Sequence, residues 1–402
     1  FYSNTLADVA GANINITSKE LTGEGKLNVS LSGGLNTQTV SSDFLKMDGV
    51  NAFGFAGKTQ PGENFDGYSF SNSLDPSRQN LQINQSYAIS GGKKFRINGN
   101  PLSFYLVASH NRNYTHYDEE VRNTTTTGTL SQDMNGNISQ VETNQLAMAN
   151  LEYSHDNRHR IAYNFMMVHA AKESVGEYLG MDNDYQSSDT YEGFMRRQQA
   201  NDNLLFVNQL NSKWELNKKF DLNAGLSYNT IKGSEPDRRI NNLSKTDRGY
   251  VPMRGTGVQQ RYFSELNEKD LNIRMSLVYK IADRFEQNSN VQIGYMGRII
   301  DDGFEAAEYD MSAVSQSVFD ISDVRFDDYY NQTNYLANNF LLDYNLDEYS
   351  VKKNIHSAYA EATYQLTSGF IANIGLKYDD VYMKVDYNVN RGGSKGEQKI
   401  DK

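Results

Sequence analysis

The residue patterns that could support catalysis in this chain each lack something that the chemistry needs. Gly392–Gly396 matches Gly-x-Ser-x-Gly around Ser394. A nucleophile elbow requires a strand–turn–helix context and later Asp and His residues, whereas this match lies in a polar stretch with no His after it. Gly57-Lys58-Thr59 resembles the end of a P-loop, but Ala52 stands where the first glycine is required. The sequence therefore predicts a flexible loop at the first motif and no nucleotide site at the second.

Two further patterns have partial metal-ligand spacing. His155 and His159 have the i, i+4 spacing of a helical zinc pair, but they flank a predicted tight turn, where they would not share a helical face. Asp133–Asn137 begins like a calcium loop, yet Ile138 replaces the glycine at position six and Asn144 the glutamate at position twelve. We predict an Asn-Gly turn there. A calcium site of another type, in a loop rich in carboxylates, stays open.

The stretch from Asp301 to Lys353 combines twelve carboxylates with ten aromatic residues. A loop that is only solvated has no need of so many aromatic rings, so we expect it to fold over an opening and to help capture a ligand. The alternative is that a large surface loop packs on itself. The candidate ligand contacts are Tyr309, Phe326, Tyr329, Tyr330 and Tyr335. No catalytic residue and no cofactor is predicted, and we expect the chain not to be an enzyme.

Composition excludes several classes of protein. Of the 402 residues 38% are hydrophobic, and no apolar run approaches the roughly 20 residues that a membrane-spanning helix needs. The 27 Tyr and 19 Phe argue against disorder. The absence of cysteine removes thiolate zinc sites and thiol catalysis. The net charge is -11 and no basic stripe is present, so we expect no nucleic-acid partner.

The elements that must position any site are strands. Apolar and polar residues alternate over Phe220–Asn229, Leu271–Lys280 and Phe370–Asp379, with Val278 as the exception in the second segment. A period of two is typical of a strand whose faces have different surroundings. Weaker copies of the pattern begin near Leu27, Leu81, Leu102, Leu146, Ile161, Leu204, Val291 and Ala358. The sequence therefore predicts eleven strands and an all-β fold.

Connection lengths indicate which all-β architecture this is. Long connections are predicted at Thr37–Asn80, Asp118–Val141, Lys172–Gln199, Lys232–Glu268 and Asp301–Lys353. Short ones are predicted at Gly91–Asn100, Asp156–Arg158, Asn217–Lys219, Ala282–Asn290 and Thr367–Gly369, in strict alternation with the long ones. Transmembrane antiparallel β-barrels of the outer membrane have short periplasmic turns, long extracellular loops and a polar lumen. The predicted lumen residues, Arg274, Lys280, Glu361, Gln365 and Lys377, are too polar for the core of a soluble sandwich.

The strand count suggests part of a larger barrel. Bacterial single-chain barrels have an even number of strands, and an open barrel would leave backbone groups unpaired in lipid. Eleven is half of twenty-two, the number found in plugged outer-membrane transporters. We expect residues 22–390 to be the N-terminal half of such a barrel and the polar residues 391–402 to begin an extracellular loop.

The opening residues carry a resemblance to a known family. Leu6-Ala-Asp-Val-Ala-Gly-Ala-Asn-Ile-Asn-Ile-Thr-Ser-Lys-Glu-Leu21 resembles the end of the plug domain of TonB-dependent outer-membrane receptors, just before the first barrel strand. Ala10-Gly11-Ala12 stands where the family usually has two glycines, and Thr17-Ser18-Lys19 has one residue more than the usual Thr–Lys ending. Residues 1–21 would then be the end of the plug. The residues assigned to the plug–barrel junction are Ala10, Gly11, Ala12, Asn13 and Lys19.

The resemblance implies energised import across the outer membrane. A scarce ligand, such as a siderophore, a vitamin, a glycan or a peptide, would bind on the extracellular side, and the TonB complex would act through a region outside these residues. Outer-membrane lipids would surround the barrel. A glycan or peptide importer would also have a surface lipoprotein as a lid, although the opening motif is closer to generic receptors.

Three other functions compete with import. A passive porin or structural barrel would have no plug and would conduct ions. A membrane-embedded hydrolase would need a Ser/His/Asp set, which the sequence lacks. A soluble surface adhesin would need no detergent.

Overall fold

The computed structural model describes residues 21, 23–57, 67–185, 191–281, 289–367, 369–390 and 393–401. Two short helices are present, α1 (Thr37–Val40) and α2 (Gln332–Leu336). The first eight strands are β1 (Gly25–Gly34), β2 (Leu45–Lys46), β3 (Ser77–Arg78), β4 (Asn84–Ile97), β5 (Asn100–Thr124), β6 (Leu130–His155), β7 (His159–Asp182) and β8 (Glu192–Asn217). The remaining strands are β9 (Phe220–Thr246), β10 (Gly249–Pro252), β11 (Gln259–Lys280), β12 (Asn290–Ala313), β13 (Phe340–Thr367), β14 (Phe370–Val389) and β15 (Ser394–Asp401). Neither helix is long and apolar enough to cross a bilayer, a finding that covers the described residues only.

Thirteen strands form one antiparallel sheet, which confirms the all-β class. Its order is β1-β4-β5-β6-β7-β8-β9-β11-β12-β13-β14-β15, with β10 paired to β9 as a side hairpin and β2 with β3 as a separate ribbon. Every strand predicted from alternation is present. Within the described residues β1 and β15 are the two ends of the order.

The last predicted segment is corrected by the structure. Residues 391–402 were expected to start a loop, but Ser394–Asp401 forms β15 and pairs with Tyr382–Val389. Charged side chains support this pairing, since Lys384 Nζ lies 3.0 Å from a carboxylate oxygen of Glu397. A strand at an edge can be polar on both faces, so its hydropathy resembles that of a loop.

Most of the predicted long connections are much shorter in the structure, because the strands extend far past their apolar segments. β5 ends at Thr124 and β6 begins at Leu130, so most of Asp118–Val141 is strand. Asp133–Asn137 consequently lies within β6, not in an Asn-Gly turn. The extension consists of polar cross-strand contacts such as Arg122 Nε to Asp133 Oδ1 at 3.0 Å. The ladder of backbone hydrogen bonds continues there without any apolar pattern to mark it.

Other connections follow the expectation. His155 and His159 flank a three-residue turn and are cross-strand partners, with Asp156 and Asn157 at φ 52° and 55°. Two connections remain long, residues 35–83 between β1 and β4 and residues 314–339 between β12 and β13. Their described parts, residues 35–57, 67–83 and 314–339, pack on the sheet, and we call them the loop layer.

Strand parity shows which face of the sheet carries the loop layer. On β7, Phe55 of the loop layer stacks on His169 at 3.9 Å between ring centroids. Tyr163 has the same parity as His169, and the pairing of β7 with both neighbours runs without a bulge. Side chains of one parity share a face, so Tyr163 and His169 lie on the same face. We call this the loop-bearing face and the other the opposite face.

The loop-bearing face is apolar and exposed near the short turns. Its exposed rows include Leu210, Leu226, Tyr228, Ile273, Met275, Ile293, Tyr295, Ile374, Leu376 and Tyr378, which we call the apolar band. Exposure runs from 40% at Ile273 to 80% at Leu376. The opposite face at this level is polar, with Arg298 Nη2 bonded to Asp270 Oδ2 at 3.1 Å. The five predicted lumen residues all have the parity of the opposite face.

Candidate functional site

The tip of the first long connection is held against the middle of β7. Phe55 covers His169, whose Nε2 lies 2.9 Å from Asp202 Oδ1, and the other oxygen of Asp202 accepts from Ala56 N at 3.1 Å. Gly54 has φ +85°, and a Cβ added there would lie 2.8 Å from the Cβ of Ala171. The tip therefore requires glycine both for its backbone angle and for its close approach to the sheet.

A buried carboxyl lies beside this tip with few partners. Glu173 Oε1 is 3.5 Å from Arg112 Nη2, and Glu173 Oε2 is buried with no hydrogen-bond partner among the described residues. Arg112 also donates to the carbonyl of Ala52 and, at 2.8 Å, to the hydroxyl of Tyr114. Burial raises the pKa of Glu173 to about 7, and the nearby charges of Lys46 and Arg112 oppose this only in part.

A buried ion triad anchors the second half of the same connection. Asp237 Oδ2 accepts from Arg239 Nη2 at 2.8 Å and from Arg261 Nη2 at 2.6 Å, and all three side chains are at most 1% exposed. Arg239 also donates to the carbonyls of Ser73 and Asp48, at 2.6 and 2.8 Å. Burial alone would raise the pKa of Asp237, but the two guanidinium groups outweigh it and hold the value at about 2. The triad fixes the loop by charged hydrogen bonds to its backbone.

The two long connections are also tied to each other. Asp75 Oδ1 accepts from Arg196 Nη1 at 2.9 Å and from Phe326 N at 2.8 Å. Arg196 donates to the carbonyl of Val324 at 3.1 Å, and Asp327 accepts from Leu74 N at 2.9 Å. The loop layer is therefore one cross-linked unit on the sheet.

The predicted ligand contacts lie mainly inside this unit. Phe326, Tyr329 and Tyr330 belong to one core cluster with Phe340, and Tyr309 belongs to a neighbouring cluster with Phe263. These four predicted contacts are at most 4% exposed. Tyr335 is partly buried, and its ring packs against Phe340 at 5.9 Å. These contacts fit the alternative in which the loop packs on itself, and the ligand roles of the five residues stay predictions.

A broad cleft on the loop-bearing face was missed by the sequence analysis. Its volume is about 760 Å³, and it runs from Phe55 across seven strands to Lys395. One row of cross-strand neighbours crosses it: Asp202, Ser234, Glu265, Glu305, Glu348, Asn388 and Lys395. Phe304 and Tyr349 also line the cleft and stack at 4.9 Å, although they have the parity of the opposite face. The sequence shows that these residues are polar, but only the register between strands places Glu265, Glu305 and Glu348 side by side.

The side chains that line the cleft include carboxylates, amides, two lysines and aromatic rings. No group of three or more His, Asp or Glu side chains in the described part of the chain is arranged to hold a metal ion. His169 is the buried histidine nearest to the cleft, and its ring nitrogens face Gln145 and Asp202 at 3.2 and 2.9 Å. These hydrogen bonds fix the imidazole ring on which Phe55 stacks, so this histidine holds the tip of the loop.

Some predicted features cannot be located. Ala10, Gly11, Ala12, Asn13 and Lys19 of the junction lie outside the described residues, as do Lys58 and Thr59 of the P-loop-like motif. Ser394 of the Gly-x-Ser-x-Gly match lies in β15, with no helix after it in the described residues. Comparison with protein-family models, curated proteins and solved structures found no match to this chain.

Proposed function

We propose that this chain contributes part of the wall of a transmembrane β-barrel in a Gram-negative outer membrane. The apolar band supports the proposal. It crosses the sheet as continuous exposed rows at the short-turn ends of the strands, and aromatic residues such as Tyr228, Tyr295 and Tyr378 lie among the aliphatic ones. Lipid is the environment in which such a band is stable, because in water it would be an adhesive patch.

The rest of the proposed arrangement follows from parity. If the apolar band faces lipid, the polar opposite face, with Arg298 and Asp270, lines the interior. The loop layer then covers the outer surface of the wall beyond the membrane rather than the mouth. Further strands would close the barrel, and twenty-two strands around a plug is the arrangement that we favour.

Within this class we propose a TonB-dependent receptor that imports a scarce ligand. The plug-end resemblance of residues 6–21 supports this choice over a passive porin or structural barrel, which the sheet geometry fits equally well. On this proposal the ligand passes the polar interior face, and energy reaches the plug from the inner membrane.

Trp214 offers a direct test of membrane insertion. It is the only tryptophan, has the parity of the loop-bearing face and is 37% exposed. The full-length protein, with any tryptophan outside these 402 residues replaced by phenylalanine, should be reconstituted into phosphatidylcholine vesicles with brominated acyl chains. We expect strong quenching of Trp214 fluorescence relative to unbrominated vesicles. Equal fluorescence in the two kinds of vesicle would remove the barrel proposal.

A second measurement separates import from passive conduction. The full-length protein in a planar bilayer should conduct few ions if a plug fills the interior, whereas a porin gives stable open channels. Uptake by cells should also stop when a protonophore collapses the inner-membrane gradient. Steady conductance together with protonophore-insensitive uptake would favour the passive barrel.

A further inference from the structure

Charge on the loop-bearing face is sorted into rows at different heights above the apolar band. The cleft row carries four carboxylates, on Asp202, Glu265, Glu305 and Glu348. Four residues closer to the short turns on each strand, and therefore about 13 Å away, a second row is basic. Its members are the successive cross-strand neighbours Lys269, Asp301, Lys352, Lys384 and Lys399, which we call the lysine row.

The lysine row borders the apolar band directly. The next cross-strand row toward the short turns contains Tyr228, Leu271 and Ile299, and Ile299 is 44% exposed. The chain carries a net charge of -11, so four lysines with one aspartate in a single row depart from the average composition. Their position is the level at which a membrane changes from acyl chains to head groups, if the proposed function is correct.

Two of the four lysines in the row have no carboxylate partner within the described residues. Lys352 and Lys384 are directly opposite on adjacent strands, an arrangement that is destabilising for like charges. Lys384 is paired with Asp386 at 2.9 Å and with Glu397 at 3.0 Å, and Lys399 with Glu397 at 2.7 Å. Lys269 and Lys352, by contrast, are exposed and make no salt bridge within the described residues. An external anion would compensate the charges of Lys269 and Lys352 and would relieve the repulsion between Lys352 and Lys384.

We propose that the lysine row binds the phosphate groups of membrane-lipid head groups whose acyl chains cover the apolar band. This inference rests on the proposed function and adds a lipid specificity to it. The long lysine stems can lie along the apolar surface while their ammonium groups reach the phosphates. The cleft row repels the same phosphates, which confines them to the border of the band.

The test compares anionic and zwitterionic lipids at the protein surface. The full-length protein in phosphatidylcholine vesicles would be probed with spin-labelled phosphatidylglycerol and spin-labelled phosphatidylcholine, and the immobilised fraction of each would be measured. We expect a preference for phosphatidylglycerol that weakens with salt. In Lys269→Gln/Lys352→Gln the preference should fall by about fivefold for each lysine removed.

Lys172→Gln is the matched control, because Lys172 is exposed but has the parity of the opposite face. It should keep the preference of the unmodified protein. An unchanged preference in the double variant would overturn the lysine-row proposal, and so would full competition by inorganic phosphate, which would indicate a site for the free anion. Trp214 quenching in neutral vesicles tests the membrane proposal separately, so failure of one can be told from failure of the other.

Discussion

At the scale of single residues, the loop layer depends on charges that are buried in pairs and triads. Asp237 is the strongest case, since it pairs with both Arg239 and Arg261 and both guanidinium groups hold loop carbonyls. Removing one member of a buried ion set leaves the others without compensation, which costs far more than the loss of a surface pair.

Asp237→Asn should lower the free energy of unfolding by about 3–5 kcal/mol, because two buried guanidinium groups lose their shared carboxylate. Asp323→Asn is the control, since Asp323 is 78% exposed and its ion pair with Arg325 is long, at 3.9 Å. We expect its free energy of unfolding to change by less than about 0.5 kcal/mol. Urea unfolding in detergent micelles measures both. Similar small losses for both variants would show that the triad is not a stabilising anchor.

The lowered pKa of Asp237 also sets how the stability of the protein depends on pH. Because the folded value of about 2 lies below the ordinary 3.8, the stabilisation is present above pH 3.8 and is lost as the pH falls through about 2. The Asn variant should lack this acid-sensitive step.

The contribution of Glu173 to stability should depend on pH in the opposite direction. Its folded pKa of about 7 lies above the ordinary 4.5, so its contribution is complete below pH 4.5 and is lost as the pH rises through about 7. The shift corresponds to roughly 3 kcal/mol at most. We expect hydrogen exchange of residues 51–56 to quicken between pH 5 and pH 8 beyond the intrinsic rate.

Glu173→Gln should remove that extra pH dependence, because the amide keeps the shape of the protonated carboxyl and does not titrate. Glu120→Gln is a suitable control, since the side chain of Glu120 is 65% exposed. The same pH response in the two variants and the unmodified protein would exclude Glu173 as its cause.

At the scale of elements, the structure contains long strands and a loop layer that packs on them. Gly54 lies at the contact between the two. Gly54→Ala should release the tip of the first connection, because its Cβ would lie 2.8 Å from Ala171 and 3.0 Å from Thr143 at a φ of +85°. Exchange at residues 51–56 should rise, and the free energy of unfolding should fall by more than the roughly 1 kcal/mol of backbone strain.

Gly128→Ala is the control that separates backbone strain from the steric clash expected at Gly54. Gly128 has φ +82°, but nothing lies within 4 Å of its added Cβ. It should show the small loss of stability and no change at residues 51–56. If both variants change hydrogen exchange at residues 51–56 equally, the close packing of Gly54 on the sheet is not what holds the tip of the loop.

At the scale of the whole molecule, the proposal depends on the two faces of the sheet meeting different solvents. Leu226 and Ser227 are neighbours on β9 with opposite parity, and Leu226 is 45% exposed. Leu226→Arg should destabilise the protein in lipid vesicles by about 2–4 kcal/mol, because it places a charge in the apolar band. Ser227→Arg should cost much less on the polar face. Equal losses would contradict a lipid-facing band.

Alternation alone determined the all-β class, the presence of the eleven main strands and the side of each residue in their alternating segments. The reason is physical: a strand between two unlike environments must alternate in polarity, and Phe220–Asn229 shows this without any tertiary information. Arg274 and Lys377 were placed on the polar face by the same argument, and the register confirms it.

Only the tertiary structure decided where strands end and which distant residues meet. Polar strand pairs, such as those beyond Asp118 in β5 and β6, have no signature in hydropathy, because hydrogen-bonded ladders do not require apolar side chains. The triad of Asp237, the burial of Tyr330 and the lysine row all depend on the register between strands or on loops that fold back. These contacts join residues that are far apart in the chain, and a local sequence pattern does not show which distant residues come together in space.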